Sequence, residues 1–425
     1  MVRTSTKKAH IAVATVFAVH GSIAGTFATR IPWIQEHLGL SSGHLGFALA
    51  FAAAGASAAM PLAARIAHRF GMRTALRGLL ALWCASLALP ALSPGLPWLC
   101  AAMFCFGASA GMTDVVMNAV GVGVEERLGR SIMSGLHGMW SVGTLLASVV
   151  GVVAAHANLD ARVHLAVMAA LLIPFGMFVC RGIPGIRPET EAGAQSPPRF
   201  ALPPRSALAI GAIGFCGVFA EGASADWSGV YLRDITGSSQ AVAAASYTAF
   251  ACTMAAARLL GDLVVRRFGP VRTVRAGGVL ATAGGVMVVT AVSQPAAIAG
   301  FALIGVGIAI VVPLCFAAAG RSGTVPAQAI AGVATITYTS GLVAPAAMGT
   351  IAQATSLTVS FGLVTLLASG LIMGAPVLRP AAPTVPVREH GGDRSTRSAV
   401  RFRGRVNRWG EGQARQGGGG DTSQR

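Results

Sequence analysis

The chain has 425 residues, 54% of them hydrophobic and only 11% charged, with a mean hydropathy of +0.65. That composition excludes an ordinary soluble domain and places the chain in a bilayer. A net charge of +17 would suit a nucleic-acid binder, but the placement of the charges along the elements below removes the need for one.

Crossing a hydrocarbon core of ~30 Å takes roughly 20 mostly apolar residues. Residues 1–9, with Arg3, Lys7 and Lys8, are expected to form a cytoplasmic N-terminus. The first span, 10–33, is too long for a signal peptide and lacks a small-residue cleavage site, so it reads as a retained helix. It carries His20 and closes on Arg30-Ile31-Pro32. Spans follow at 43–64, 75–92 and 97–121, with the basic hinge Ala64-Arg65-Ile66-Ala67-His68-Arg69-Phe70-Gly71 between the second and third. The fourth holds Gly107-x-x-x-Gly111, small residues that let helix backbones approach closely. It also holds Asp114 and Asn118, four apart and therefore on one helix face. Spans at 133–155, which carries His137 and Trp140, and at 162–181 complete a first bundle, 10–181.

Residues 182–205 gather Pro184, Pro188, Pro197, Pro198, Pro203 and Pro204 among charges and small residues, the composition of a cytoplasmic linker. A second bundle, 206–378, is expected from spans at 206–232, 239–260, 273–293, 296–319, 328–352 and 356–378. Thr335, Thr337, Thr339, Ser340, Gly341 and Pro345 in the eleventh permit a locally broken helix, though hydroxyls bonding their own helix account for them equally. From 379 to 425 the chain is Arg/Gly-rich with little apolar content, which predicts a disordered cytoplasmic tail.

With twelve spans and the N-terminus inside, only Arg30, Arg162 and Arg233 of the 32 Lys and Arg fall outside. Arg258 counts among the cytoplasmic set. This is the positive-inside bias of a bacterial inner-membrane protein with both termini cytoplasmic, and it leaves nucleic acid without a role. All seven cysteines lie in apolar segments and read as small buried hydrophobes. No lysine occurs beyond Lys8, which excludes a phosphate-binding Gly-rich loop.

The hinge occurs twice. Asp262-Leu263-Val264-Val265-Arg266-Arg267-Phe268-Gly269 repeats the first copy 198 residues later (267 − 69), the mark of two related membrane bundles. At these hinges the chain resembles the major facilitator superfamily, whose signature between spans two and three and between eight and nine is Gly-x-x-x-Asp-Arg-x-Gly-Arg. Arg69, Gly71 and, one residue late, Arg73 match in the first copy; Arg267 and Gly269 match in the second, with Arg272 late. The resemblance implies an all-α membrane fold of twelve transmembrane helices in two pseudo-symmetric six-helix bundles. It also implies that these residues form a cytoplasmic gate held by pairing with helix ends. His68 and Arg266 replace the usual acid, and Asp262, one turn earlier, is the available substitute. More narrowly, Asp114-x-x-x-Asn118, Glu125-Glu126-Arg127-x-Gly129-Arg130 and His137-Gly-Met-Trp140 resemble a branch near the fucose/glucose/galactose proton symporters. Some of its members are linked to rhizopine metabolism. Arg30-Ile31-Pro32 and Asp226-Trp227-Ser228 fit the same branch.

A charge at the centre of a membrane helix costs ~2.5–3.5 kcal/mol on insertion scales and is kept mainly where it meets a cavity or a partner. Asp114 is therefore the first candidate for a proton-coupling carboxylate, with Asn118 and His137 at similar depth in one polar patch. The plainer alternative is an Asp bonded to its own helix neighbour. In the seventh span Glu221, Ser224 and Ser228 form a polar stripe expected to face a central cavity. Asp226 and Trp227 would close the outer gate or hold sugar-like hydroxyls, or Asp226 would meet outer headgroups. Arg30 would draw an anionic solute to the cavity mouth or snorkel to lipid phosphate. His20 has no assigned role. The chain shows no metal motif and no nucleophile with its base, so no enzyme, cofactor or metal is expected. The expected function is a secondary transporter working as a monomer among membrane lipids. It moves a small polar, sugar-like solute, coupled to protons. Efflux of drugs or metabolites, and a sensor that kept the transporter fold, are the alternatives.

Overall fold

The computed structural model describes residues 2–129, 132–183, 205–319, 321 and 326–379. Most of the expected linker, 184–204, and the expected tail from 380 lie outside them. Every regular element among the described residues is helical. In the first half these are α1 (Val2–Ala28), α2 (Ile31–His37), α3 (Ser42–Phe70), α4 (Met72–Ser86), α5 (Leu96–Leu128), α6 (Met133–His156) and α7 (Ala161–Val179). The second half contains α8 (Arg205–Thr236), α9 (Gln240–Phe268), α10 (Pro270–Val289), α11 (Gln294–Ile308), α12 (Val311–Ala319), α13 (Pro326–Ala354) and α14 (Leu357–Gly374). Nine helical stretches among the described residues are long and apolar enough to cross a membrane; α4, α10 and α13 fall outside that group.

The duplication read from the hinge extends to helix length and capping. α3 and α9 each span 29 residues, and both ends of α9 lie 198 residues after those of α3 (240 − 42 and 268 − 70). Ser41 caps α3 by accepting from the His44 amide, and Ser239 caps α9 by accepting from the Val242 amide, each at 3.3 Å. Such a cap satisfies one of the donors that a helix start leaves free. Gly71 and Gly269 end the two helices at φ 80° and 77°, a backbone region that side chains disfavour, so the chain can turn at once into α4 and α10.

Three expectations on element boundaries change. α1 starts at Val2, so residues 2–9 form its opening turns rather than a separate segment. The span expected at 296–319 is two helices, α11 and α12, interrupted at Ala309 and Ile310. The eleventh span, where a break was allowed for, is continuous as α13, and the Thr339 hydroxyl donates to the Thr335 carbonyl at 2.7 Å. That hydroxyl folds back onto its own helix, whereas Thr337 and Ser340 are buried with hydroxyls unpartnered among the described residues. The cysteines also divide: Cys84, Cys100, Cys180 and Cys315 are buried, but Cys105 and Cys252 are exposed, because their helices turn those faces outward.

Packing within and between halves relies on small residues. α3 lies along α5, where a Cβ on Gly107 would fall 1.8 Å from the Ala52 carbonyl oxygen. Between the halves, α3 packs on α13, α6 on α9, and α2 on α8 and α9. The α3–α13 crossing is closest at Gly46, whose added Cβ would lie 2.4 Å from the Pro345 carbonyl oxygen and 2.8 Å from Gly349 Cα. Lipid offers no hydrophobic drive for helices to associate, so this backbone-to-backbone contact supplies the dispersion that holds the crossing. Gly46→Val is expected to lower the melting midpoint through an overpacking cost of about 1–3 kcal/mol. Thermal unfolding of the detergent-purified variant measures it, and an unchanged midpoint would mean that α3 and α13 are not locked at this crossing.

Candidate functional site

Polar groups from α1, α5 and α6 meet in the first half. Asp114 is half-buried on α5, and Asn118 Nδ2 donates to its Oδ1 at 3.1 Å and to its carbonyl at 2.8 Å. The i, i+4 spacing thus closes a side-chain bond along one helix face. His20 is 7% exposed, and its Nδ1 accepts from Trp140 Nε1 at 3.0 Å. That bond puts the ring proton of neutral His20 on Nε2, which is buried without a partner among the described residues. Trp83 lies against the other side of the imidazole at 5.4 Å. His137 is exposed and meets Phe17 edge-on at 5.3 Å. Asp114 is close enough to both imidazoles for direct electrostatic interaction, and they to each other. The structure therefore brings Asp114, Asn118, His137 and Trp140 into one neighbourhood and adds His20, to which sequence reading gave no role.

Across the α6–α9 contact stands a second charged group. Glu221 on α8 accepts from Arg258 Nη2 on α9 at 2.8 and 2.9 Å, with both side chains about a quarter exposed. Arg258 Nε donates at 3.2 Å to the Ala309 carbonyl at the α11–α12 interruption. One guanidinium therefore neutralises a carboxylate within the membrane and satisfies a carbonyl that the broken helix leaves open. The count that put Arg258 on the cytoplasmic side is corrected: it lies inside the bundle because two acceptors hold it there. Its charge also reaches His137, which links the two clusters. The missed signal was positional, since Arg258 falls within the apolar stretch 239–260.

The other seventh-span residues separate. Ser224 and Ser228 are fully buried, with hydroxyls unpartnered among the described residues. Trp227 is 0% exposed. The expected aromatic platform for solute is therefore a core side chain. Asp226 is half-buried and makes no hydrogen bond or ion pair among the described residues, while Tyr247 lies within its electrostatic reach.

Arg30 is also corrected. It is 1% exposed, and its Nε donates to His164 Nδ1 at 3.0 Å and its Nη2 to the Leu159 carbonyl at 3.2 Å. It neither lines a mouth nor reaches lipid; it ties the α1–α2 bend to the start of α7. Closure between the halves at this end falls instead to Glu36 on α2, which accepts from Arg233 and from Gln240 Nε2. Gly43 N adds a bond to Gln353 Oε1 at 3.3 Å. Sequence reading placed Arg233 on the outer side but gave Glu36 no role, so the latch was missed.

At the opposite end the expected gate pairs are absent among the described residues. Arg69 stacks on Phe70 at 5.4 Å and Arg267 on Phe268 at 5.6 Å. Arg73 donates to the Arg181 carbonyl within its own half. Asp262 is exposed and joins none of the three ion pairs found. His68 and Arg266 stand at the acidic position of the motif, and none of Arg69, Arg73, Arg267 and Arg272 forms an ion pair among the described residues.

A helical bundle of this length and hydropathy, with a carboxylate–guanidinium pair held between its helices, is an integral membrane protein in class. The family model of the Major Facilitator Superfamily matches residues 13–324. The chain is 34% identical over 372 residues to the uncharacterized transporter y4wD of Sinorhizobium fredii, covering 86% of this chain and 97% of that one. It is 30% identical over 363 residues to membrane protein MosC of Rhizobium meliloti, covering 85% and 88%, which fits the branch that the Asp114–Asn118 motif resembles. Among solved structures, a point mutant of the nucleoside transporter NupG superposes with a TM-score of 0.70 at 13% identity, covering 88% and 99%. A D-xylose-proton symporter gives 0.65 at 14%, covering 87% and 97%. The chain belongs to the Major Facilitator Superfamily and has its fold.

Removing one member of the Glu221–Arg258 pair strands the other. Arg258→Gln and Glu221→Gln are each expected to destabilise by somewhat less than the ~3–5 kcal/mol seen for fully buried pairs. The double variant should lose less than the sum. Thermal unfolding of the four proteins tests this, and additive losses would mean that the pair is not energetically coupled.

Proposed function

We propose that this chain is a proton-coupled secondary transporter that carries a small polar, sugar-like solute across the bacterial inner membrane by alternating access. Its two six-helix halves, 10–181 and 206–378, rock about a midplane site, with both termini cytoplasmic and the monomer as the working unit. The observation that carries the reading is the adjacency, across the contact between halves, of the Asp114–His20–His137 cluster and the Glu221–Arg258 pair. Titratable groups on one side and a salt bridge on the other give a proton and a conformational change a shared point of action.

In this scheme Asp114 takes the proton. Asn118 holds one oxygen of the carboxylate and leaves the other open, and Trp140 fixes His20 so that its Nε2–H points away from the indole. His137, exposed beside them, exchanges protons with the cavity. A positive imidazole at His137 repels Arg258, so proton occupancy bears on the bond between Glu221 and Arg258 and through it on the α11–α12 interruption. Asp226, half-buried and unpaired among the described residues, is the group offered to solute hydroxyls. The D-xylose-proton symporter of the same fold supports the choice of a sugar-like cargo moved with protons. The membrane potential adds ~2.3 kcal/mol per charge per 100 mV, enough for substantial accumulation.

A thermal-shift screen against sugars, polyols and nucleosides identifies a solute for assay. In proteoliposomes with an imposed pH gradient, Asp114→Asn is expected to abolish accumulation while solute exchange continues; accumulation by that variant would remove Asp114 from the coupling role. Glu36→Gln breaks the latch that joins α2 to Arg233 and Gln240. It is expected to raise labelling from the outer side of a cysteine placed in the pathway. Labelling equal to that of the parent would show that the latch does not hold this end shut.

A further inference from the structure

Between α9, α10 and α11 a groove of about 450 Å³ is bounded by the exposed side chains of Leu260, Phe268 and Leu280, so it opens away from the bundle. None of Asp114, His137, Glu221, Asp226 and Arg258 lines it. Its floor is low because Gly277 and Gly307 touch, with an added Cβ on Gly277 falling 2.3 Å from the Gly307 carbonyl oxygen. Along α9 it runs from Ala257 to Phe268, a rise of ~16 Å. That is close to half of a ~30 Å hydrocarbon core, the depth that one leaflet's acyl chain occupies.

Two guanidiniums stand at the Phe268 end. Arg272 lines the groove itself, and Arg267 lies over the Phe268 ring at 5.6 Å. The neighbouring charged groups Asp262, Arg266 and Arg275 are exposed, and none of these five residues forms an ion pair among the described residues. An apolar channel one leaflet deep that ends in unpaired arginines is complementary to a molecule with a long hydrocarbon chain and an anionic head. Guanidinium binds phosphate oxygens through paired N–H donors, and basic pockets between membrane helices favour acidic headgroups.

We propose that this groove is a binding site for an anionic phospholipid, with one acyl chain along α9–α11 and the phosphate on Arg267 and Arg272. The chain would also pack against Ile310, which lines the inner groove beside the Ala309 carbonyl held by Arg258. Lipid occupancy would therefore brace the α11–α12 interruption from outside the bundle. The inference stands independently of the solute and of the coupling ion.

The test uses the full-length protein, delipidated in detergent, and thermal unfolding with added phosphatidylglycerol, phosphatidylcholine or inorganic phosphate. Phosphatidylglycerol is expected to raise the midpoint by several degrees more than phosphatidylcholine, with phosphate alone giving no such gain. Arg267→Gln/Arg272→Gln should lose most of that anionic increment while keeping the parent response to phosphatidylcholine, which controls for folding. Ala276→Phe, which fills the groove and leaves both arginines in place, should lose it too. Native mass spectrometry should show the bound phosphatidylglycerol on the parent and its loss in both variants. Equal stabilisation by the two lipids, a full shift with phosphate alone, or an anionic increment retained by either variant would overturn the assignment.

Discussion

The hydrogen bonds of Arg258 set the terms for the second half of this molecule. Within a bilayer a carboxylate or an open backbone carbonyl must find its partner inside the protein. Here one side chain serves both, holding Glu221 through Nη2 and the Ala309 carbonyl through Nε. An interruption between α11 and α12 can exist at that depth because a donor reaches it. A half-buried acid can exist on α8 for the same reason. Three helical rods are therefore joined at one guanidinium, and the charge of that guanidinium is also felt by His137 in the other half.

The first half treats its own interruption differently. At the α1–α2 bend a buried arginine again supplies the donors, but its partners are the neutral His164 ring and the Leu159 carbonyl. Both halves thus place an arginine at a helix break, one with a carboxylate and one without. The half with the carboxylate holds its arginine by two charge-assisted contacts as well as a carbonyl. The half without it has no such acid in hydrogen-bond contact, and its bend carries α2 and the Glu36 latch as a fixed arm.

The fold was readable because its cues are long and repeated. Apolar stretches of about 20 residues, the double hinge and the one-sided distribution of arginine each report on whole helices, so errors of several residues leave the architecture intact. The Asp114–Asn118–His137 grouping was accessible for a similar reason, since helical periodicity and depth place residues with no need for detailed packing. What failed depended on which way a helix turns within its bundle. Trp227 and Arg30 were assigned to surfaces but lie in the core. Arg258 was counted by the sign of its charge alone, although its place inside an apolar stretch predicted a partner. The Glu36 latch joins residues 197 and 204 positions apart, and single-sequence periodicity carries no information about such a contact. At the hinge the family pattern implied gate pairs that His68 and Arg266 do not permit.

The matched lengths of α3 and α9 carry one more implication. Twenty-nine residues rise ~43 Å, against ~30 Å of hydrocarbon. Such rods must lean within the bilayer or project beyond it. Their Phe-Gly ends, with Arg69 and Arg267 stacked on the terminal rings, then stand at the level of the phosphates. A rod that leans sweeps its tip sideways when its tilt changes, so rocking of the halves would drag these arginines through the headgroup layer. In the proposed alternating-access scheme, the thickness and charge of the surrounding membrane thereby become part of the energy difference between the two orientations.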